Sequence, residues 1–336
     1  MSQGGEPVAG GTLVVQTAFL GDVVLTTGLL SALAVKHGPV DVLVTPAAHS
    51  LLITHPAVRR VITYDKRGKD RGLAGWRRMV RTLAAERYAL VYLPHRSLRS
   101  ATLVRAAGIP IRVGFAGGLA SLLYTARVPR PISGHEAERL LSLAGPEATR
   151  PAKIRLELTE DDRAEAYAWL AARGIGDGFV AAAPGSIWGT KRWPGFGDLA
   201  RLLPGRIVVI GGPDDREAAQ AMVDGAPDRV ASAAGAVSLR VSAAILERAG
   251  VLVTNDSAPL HLASATGTPT VAIFGPTTPG LGFGPRAPQA AIIERTDLAC
   301  RPCSAHGPAR CPLGHHRCMR EIPATLVRDT ILELVG

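Results

Sequence analysis

The chain has 336 residues, 47% of them apolar, enough for globular burial and long enough to favour two cores over one. Only 4% are aromatic, which disfavours a stacking platform for single-stranded nucleic acid, and no run reaches the roughly 18 uninterrupted apolar residues that span a bilayer. The net charge of +10 is lopsided: residues 1–150 hold 19 Lys and Arg against 9 Asp and Glu, whereas residues 151–336 hold 19 of each.

Met1 to Gly11 lacks the basic residues and apolar core of a signal peptide, so a cytoplasmic protein is expected. Short β-rich runs then alternate with helical patterns, the rhythm of a parallel α/β fold. A strand is predicted over Thr12–Gln16, and Leu20-Gly-Asp-Val-Val24 turns into a helix over Asp22–Lys36. Gly-Asp at such a turn is most often a cap. The functional alternative is a carboxylate at the lip of the domain that removes a proton from an attacking hydroxyl.

Further strands are predicted at Val40–Thr45, Arg60–Tyr64, Ala89–Leu93 and Ile111–Phe115, with helices near Leu73–Glu86 and Leu98–Ala107. Ala89 to Gly134 holds no acid, against Arg96, Arg99, Arg105, Arg112, Arg127 and Arg130. A field of one sign attracts nucleic acid, an anionic membrane or a phosphorylated substrate.

Gly145–Lys153 is rich in Pro, Gly and Ala and starts a connection, placing domains at 10–150 and 151–336. Thr159 heads a helix through Arg173, and strands resume at Phe179–Ala183, Ile207–Ile210, Val251–Thr254 and Thr270–Phe274. Helices are predicted near Phe196–Leu203, Asp214–Asp224, Ser238–Arg248 and Ala258–Thr266. Two Rossmann-like halves across a cleft result, so chemistry is sought in the loops after strands.

Three such loops stand out. Pro184-Gly-Ser-Ile-Trp-Gly-Thr-Lys-Arg-Trp193 offers close backbone approach at its glycines, hydroxyls at Ser186 and Thr190, and a point charge at Lys191. It is not a Walker A loop, and a solvated surface turn is its plain alternative. Ile210-Gly-Gly-Pro-Asp-Asp-Arg-Glu217 places acids where ribose hydroxyls are commonly held, although a cap at Asp214 accounts for it equally. After Val251–Asn255, the turn at Asp256-Ser-Ala-Pro-Leu-His261 opens a helix whose backbone N–H groups suit a diphosphate, with Asp256 or Ser257 as cap. Spacing alone slightly favours an ordinary capped helix there.

All four cysteines lie in Cys300-x2-Cys303-x7-Cys311-x6-Cys318, a spacing that fits either a structural metal or a thiol-packed loop. No Asp-x-Asp pair chelates a divalent cation. A nicotinamide dehydrogenase is disfavoured because Gly280-Leu-Gly-Phe-Gly284 lacks the fingerprint and sits in a Pro-rich loop. No RNA or DNA motif is visible.

Five motifs together resemble the ADP-heptose–lipopolysaccharide heptosyltransferases of glycosyltransferase family 9. They are Leu20-Gly-Asp-Val-Val-Leu-Thr-Thr27, Pro94-His-Arg-Ser-Leu-Arg-Ser100, Thr254-Asn-Asp-Ser-Ala-Pro-Leu-His-Leu-Ala263, Gly267-Thr-Pro-Thr-Val-Ala-Ile-Phe-Gly-Pro276 and Cys311-Pro-Leu-Gly-His-His-Arg-Cys318. The last is most similar to the second heptosyltransferase of the inner core. Ser257-Ala258 stands where many relatives have Thr-Gly.

The resemblance implies a GT-B fold, with the last helix able to pack back on the N-terminal domain, and an inverting, metal-independent transfer from ADP-heptose to the anionic lipid-linked inner core. It assigns Asp22 as base, and Ser186, Lys191, Asp256, Ser257, Ala258 and His261 to the donor diphosphate. Glu217 and Val237 fall on the nucleoside side, and Arg96 and Arg99 on the acceptor. It also implies peripheral contact with the inner membrane, no nucleic acid and no catalytic cofactor, while a structural metal at the cysteines stays open.

Overall fold

The computed structural model describes residues 10–148 and 153–336. Residues 1–9 and 149–152, which include the start read as lacking a leader and part of the Gly145–Lys153 connection, lie outside the described residues. The chain divides into two compact units, Met1–Glu157 and Leu158–Gly336.

In the first unit, strands β1 (Thr12–Gln16), β2 (Val40–Val44), β3 (Val58–Thr63), β4 (Leu90–Leu93), β5 (Ile111–Phe115) and β6 (Ala126–Val128) pair in parallel in the order β3-β2-β1-β4-β5-β6. Its helices are α1 (Leu20–His37), α2 (Pro46–Leu52), α3 (Gly72–Ala85), α4 (Leu98–Ala106) and α5 (Glu136–Leu141). The central strands are covered on both faces, so they read as continuous runs of Val and Leu rather than alternating ones. Helix α1 has the length and apolarity of a membrane span, but it is a core helix, with Val23, Val24, Leu25, Leu29, Leu30 and Leu33 at 0% exposure.

The second unit repeats the plan. Strands β7 (Val180–Ala183), β8 (Ile207–Val209), β9 (Val230–Ser232), β10 (Val251–Asn255), β11 (Thr270–Phe274) and β12 (Ala290–Glu294) run parallel in the order β12-β11-β10-β7-β8-β9. Helices α6 (Glu160–Ala171), α7 (Phe196–Leu202), α8 (Arg216–Gly225), α9 (Leu239–Arg248), α10 (Ala258–Thr266), α11 (Arg317–Arg320) and α12 (Ala324–Val335) complete it. The expected cap of α6 is present: Thr159 Oγ1 accepts from Asp162 N at 3.2 Å, and the Asp162 carboxylate accepts from Thr159 N at 2.7 Å. Asp162 also joins α6 to α9 through the buried Arg240. The last helix, α12, packs on α7 and on strands of its own unit, burying Val327 and Ile331.

In each sheet the strand order reverses once, between β1 and β4 and between β7 and β10. Loops diverge at such a switch point and leave a crevice at the carboxyl ends of the strands. Loops 17–19 and 94–97 end at the first crevice, and loops 184–191 and 256–257 at the second.

Candidate active site

The second crevice begins with Lys191 and Asp256, which follow neighbouring strands and meet as a buried ion pair. Lys191 Nζ donates to Asp256 Oδ2 at 2.6 Å, and the two residues are 9% and 7% exposed. Thr277 Oγ1 donates to the same oxygen at 2.6 Å. An ammonium carries three donors and Asp256 takes one, so Lys191 retains donors for an anion held beside the pair. Asp256 is therefore an orienting group and not a cap.

Ser257 occupies the N-cap position of α10, yet its side chain accepts no capping bond, and its hydroxyl oxygen is buried with no hydrogen-bond partner among the described residues. Both expected capping roles, for Asp256 and for Ser257, are thus corrected by the structure. Polar atoms buried in a protein are nearly always satisfied, so an unsatisfied hydroxyl beside the open first turn of a helix marks a place for an acceptor or donor from a ligand. Ala258 and Pro259 form that first turn, where the proline lacks an N–H that would have no use. His261 lies one turn further, 5% exposed, with its ring 6.3 Å from that of Phe283. The helix stops at Gly267, at φ +78°, a left-handed conformation that costs glycine nothing.

The loop after β7 is fixed from several sides. Ser186 Oγ accepts from Trp188 N at 3.3 Å, and Asn255 Nδ2 donates to Pro184 O at 2.8 Å while its Oδ1 accepts from Trp193 N at 3.1 Å. Asn255 lies within a quoted motif, but its role as a clasp between β10 and this loop is visible only in three dimensions. From the other side the cysteine-rich segment packs on the loop. Thr190 Oγ1 donates to Pro308 O, His316 Nε2 bonds Thr190 O at 2.8 Å, and a side chain at Gly189 would stand 2.7 Å from Ala309 O. Ser186, Thr190 and Lys191 are therefore buried, whereas Ile187 and Arg192 of the same loop stay exposed, so the surface-turn reading holds for only part of it.

After β8, the acid that folds the turn is Asp215, which accepts from Gly212 N at 2.9 Å; the sequence had pointed to Asp214. Gly185 allows this carboxylate to approach, since a Cβ there would lie 1.9 Å from Asp215 Oδ1. Glu217 is exposed in the first turn of α8, and Val237 is half-buried just before Ser238, which caps α9 by accepting from Val241 N at 3.1 Å.

The four cysteines are free thiols. Cys303 Sγ donates to the carbonyl of Cys300 at 3.3 Å, and Cys318 is 4% exposed within the apolar core, where burial pushes its thiol up to about 11. Among the described residues no group of three or more His, Cys, Asp or Glu is arranged to hold a metal ion.

In the first crevice Asp22 is the third residue of α1, half-buried, with Oδ2 accepting from Phe19 N at 3.0 Å. It thus closes the turn, as the cap reading requires, while staying at the carboxyl end of β1. Behind that turn lies a polar cluster absent from the sequence-level reading. Lys66 Nζ donates to Thr17 O at 2.6 Å, His95 Nε2 bonds Ser100 Oγ at 3.0 Å, and Thr17 Oγ1 is 3.4 Å from both His95 Nε2 and Ser100 Oγ. Burial, aided by the Lys66 charge, lowers His95 to about 4, so its imidazole is neutral at pH 7.

Arg99 is held by Tyr64, with Nη2 2.6 Å from the phenolic oxygen, and the guanidinium lies 5.3 Å from the ring centroid. Arg96 is exposed on the loop after β4. Part of the expected basic field is consumed internally: Arg112 donates to the carbonyls of Ile109 and Leu123, and Arg130 pairs with the buried Glu136 at 2.5 Å.

The sequence profile described as "Glycosyltransferase family 9 (heptosyltransferase)" matches residues 76–310. The chain belongs to glycosyltransferase family 9. This member is 29% identical over 310 residues to lipopolysaccharide heptosyltransferase 1 of Pseudomonas aeruginosa, covering 87% of this chain and 85% of that protein. Its fold matches the glycosyl transferase family 9 structure from Veillonella parvula, with a TM-score of 0.84 at 24% identity and 97% of each chain covered. It also matches the ADP-heptose lipopolysaccharide heptosyltransferase II of Escherichia coli, with a TM-score of 0.79 at 22% identity over 97% of this chain and 98% of that one. The α/β, GT-B fold class and the heptosyltransferase resemblance read from the sequence are borne out, and the family member is a glycosyltransferase.

Proposed function

We propose that this family 9 glycosyltransferase moves heptose from ADP-heptose to the lipid-linked inner core of lipopolysaccharide by one displacement with inversion and without a metal. The observation that carries the donor assignment is the Lys191–Asp256 pair beside the first turn of α10, where Ser257 Oγ is buried without a partner. Lys191, the backbone of Ser257 and Ala258, and His261 receive the diphosphate, with Ser186 on the adjoining loop. Donors fixed in place before the leaving group develops charge cost no reorganisation when it departs. Glu217 and Val237 lie on the nucleoside side.

Asp22 removes the proton from the attacking hydroxyl. One carboxylate is enough for an inverting displacement, and general-base help of this kind contributes roughly 10²–10⁴ in rate. Arg96 and Arg99 receive the anionic groups of the acceptor, which places the enzyme at the cytoplasmic face of the inner membrane as a peripheral protein. Heptosyltransferases of both the first and the second type are among its relatives, so the acceptor sugar is what the assay must fix. The test is transfer from ADP-heptose to defined inner-core acceptors carrying one or no heptose. Transfer to the acceptor with one heptose is expected; failure to bind any ADP-sugar would overturn the donor assignment.

A further inference from the structure

The short 3-10 turn at Leu119–Leu123 places in solvent two leucines that no other described residue covers. Leu119 is 70% exposed and Leu122 is 68% exposed. A 3-10 helix repeats every three residues, so positions i and i+3 stand on the same side. The opposite side of the turn is anchored, with Ala120 3% and Ser121 7% exposed.

This is a fixed display. Ser121 Oγ donates to Gly118 O at 2.8 Å, Arg127 Nε donates to Ser121 O at 2.8 Å, and Arg112 Nε donates to Leu123 O at 2.7 Å. The turn packs on α4, whose first residue, Leu98, is 47% exposed. The loop leaving β6 adds Ile132 at 97% exposure, and that loop starts beside the end of β5, where Ala116 N donates to Val128 O at 2.8 Å.

The stretch of chain that carries these side chains is basic. All of them fall within, or border, the stretch Ala89–Gly134, which has arginines and no acid. Arg96 comes within 3.8 Å of where a side chain on Gly117 would stand, just before the turn. The nearest acid in sequence, Glu136, is 5% exposed and paired with Arg130 and Arg139, while Glu138 is exposed beside Gly134, beyond the turn.

We propose that this edge of the N-terminal unit docks the enzyme on an anionic phospholipid surface, with Leu119 and Leu122 seated among the headgroups and the arginines on the phosphates. Aliphatic tips in a stretch whose Arg96, Arg105 and Arg127 are exposed match the two forces that hold a peripheral protein to such a surface, apolar insertion and attraction to anionic lipid. Nucleic acid matches less well, since the exposed apolar tips are aliphatic and offer no stacking ring. The turn runs along the edge of the sheet, from Gly118 after the carboxyl end of β5 to Leu123, whose carbonyl Arg112 holds near the amino end of that strand. The inference rests on the proposed lipid-linked acceptor only for its purpose.

The test is sedimentation of the full chain with vesicles of phosphatidylcholine alone and of phosphatidylcholine with phosphatidylglycerol, in low and high salt. Wild type is expected to bind only the anionic vesicles, and less in high salt. The double variant Leu119→Asp/Leu122→Asp should bind at least about tenfold less, because each new carboxylate repels the lipid phosphates. Leu122→Ser, which removes the apolar tip without adding charge, should fall between. Transfer to a delipidated, soluble acceptor should be unchanged in both variants, which also confirms their folding. Equal vesicle binding by wild type and variants, or no binding by wild type, overturns the proposal. A concentration-dependent dimer abolished by the variants would instead identify the patch as a contact between copies. Vesicle binding that persists when no ADP-heptose is turned over would sink the donor assignment and leave the docking surface standing.

Discussion

Lys191 and Asp256 are 65 residues apart and follow strands β7 and β10, yet their charged atoms lie 2.6 Å apart with both side chains almost fully buried. Removing one member of a buried pair strands the other charge, which typically costs about 3–5 kcal/mol. Asp256→Ala should therefore lower unfolding free energy by about that amount in urea titrations. The double variant Lys191→Met/Asp256→Leu should regain most of the loss while staying inactive in transfer. An additive loss in the double variant would contradict the pairing.

Ser257→Ala separates stability from binding. The Ser257 hydroxyl is buried without a partner among the described residues, so its removal should stabilise the ligand-free protein or leave it unchanged, by the desolvation cost of about 1–3 kcal/mol at most. If that hydroxyl meets the donor diphosphate, the same change weakens ADP binding in calorimetry. A variant that loses stability and binds ADP normally would show that Ser257 serves the fold.

Asp22→Asn keeps the shape of the side chain and an oxygen for the Phe19 N–H, while losing the base. The expected result is a fall in kcat of about 10²–10⁴ with little change in the affinity for ADP-heptose. Unchanged kcat would remove Asp22 from the mechanism.

His95 gives the first unit a dependence on acid. Burial, with Lys66 nearby, lowers its pKa from 6.5 to about 4 in the folded state. Between those values the unfolded chain binds a proton that the folded chain does not, so stability falls as pH drops from about 6.5 to about 4. His95→Gln should flatten thermal stability across this window. Because the His95 cluster bonds the loop that leads to Asp22, the acid limb of the rate profile should also shift. A profile that remains unchanged would disconnect the cluster from the reaction.

Much of this was legible along the chain because the signals are local. Buried parallel strands need unbroken apolar runs, Thr159 and Asp162 form a capping box within one turn, and Gly267 ends α10 because only glycine takes that conformation freely. Strands β6, β9 and β12 were not foreseen: all three are edge strands, partly exposed and without a long apolar run, and their pairing comes from the single neighbouring strand. The choice of Asp215 over Asp214 likewise depended on which carboxylate meets the Gly212 N–H.

Sequence alone determined the alternating architecture, the family motifs, and the loops after strands where a diphosphate and a base could be held. Tertiary structure decided what each polar residue does there. It turned Asp256 from a helix cap into the partner of Lys191, bound Arg99 to Tyr64, spent Arg112 on carbonyls, and set His95 against Thr17 and Ser100. The reason is that parallel strands adjacent in a sheet are distant in sequence. The partners of a residue at a strand's carboxyl end are therefore chosen by strand order, and no spacing along the chain records that order.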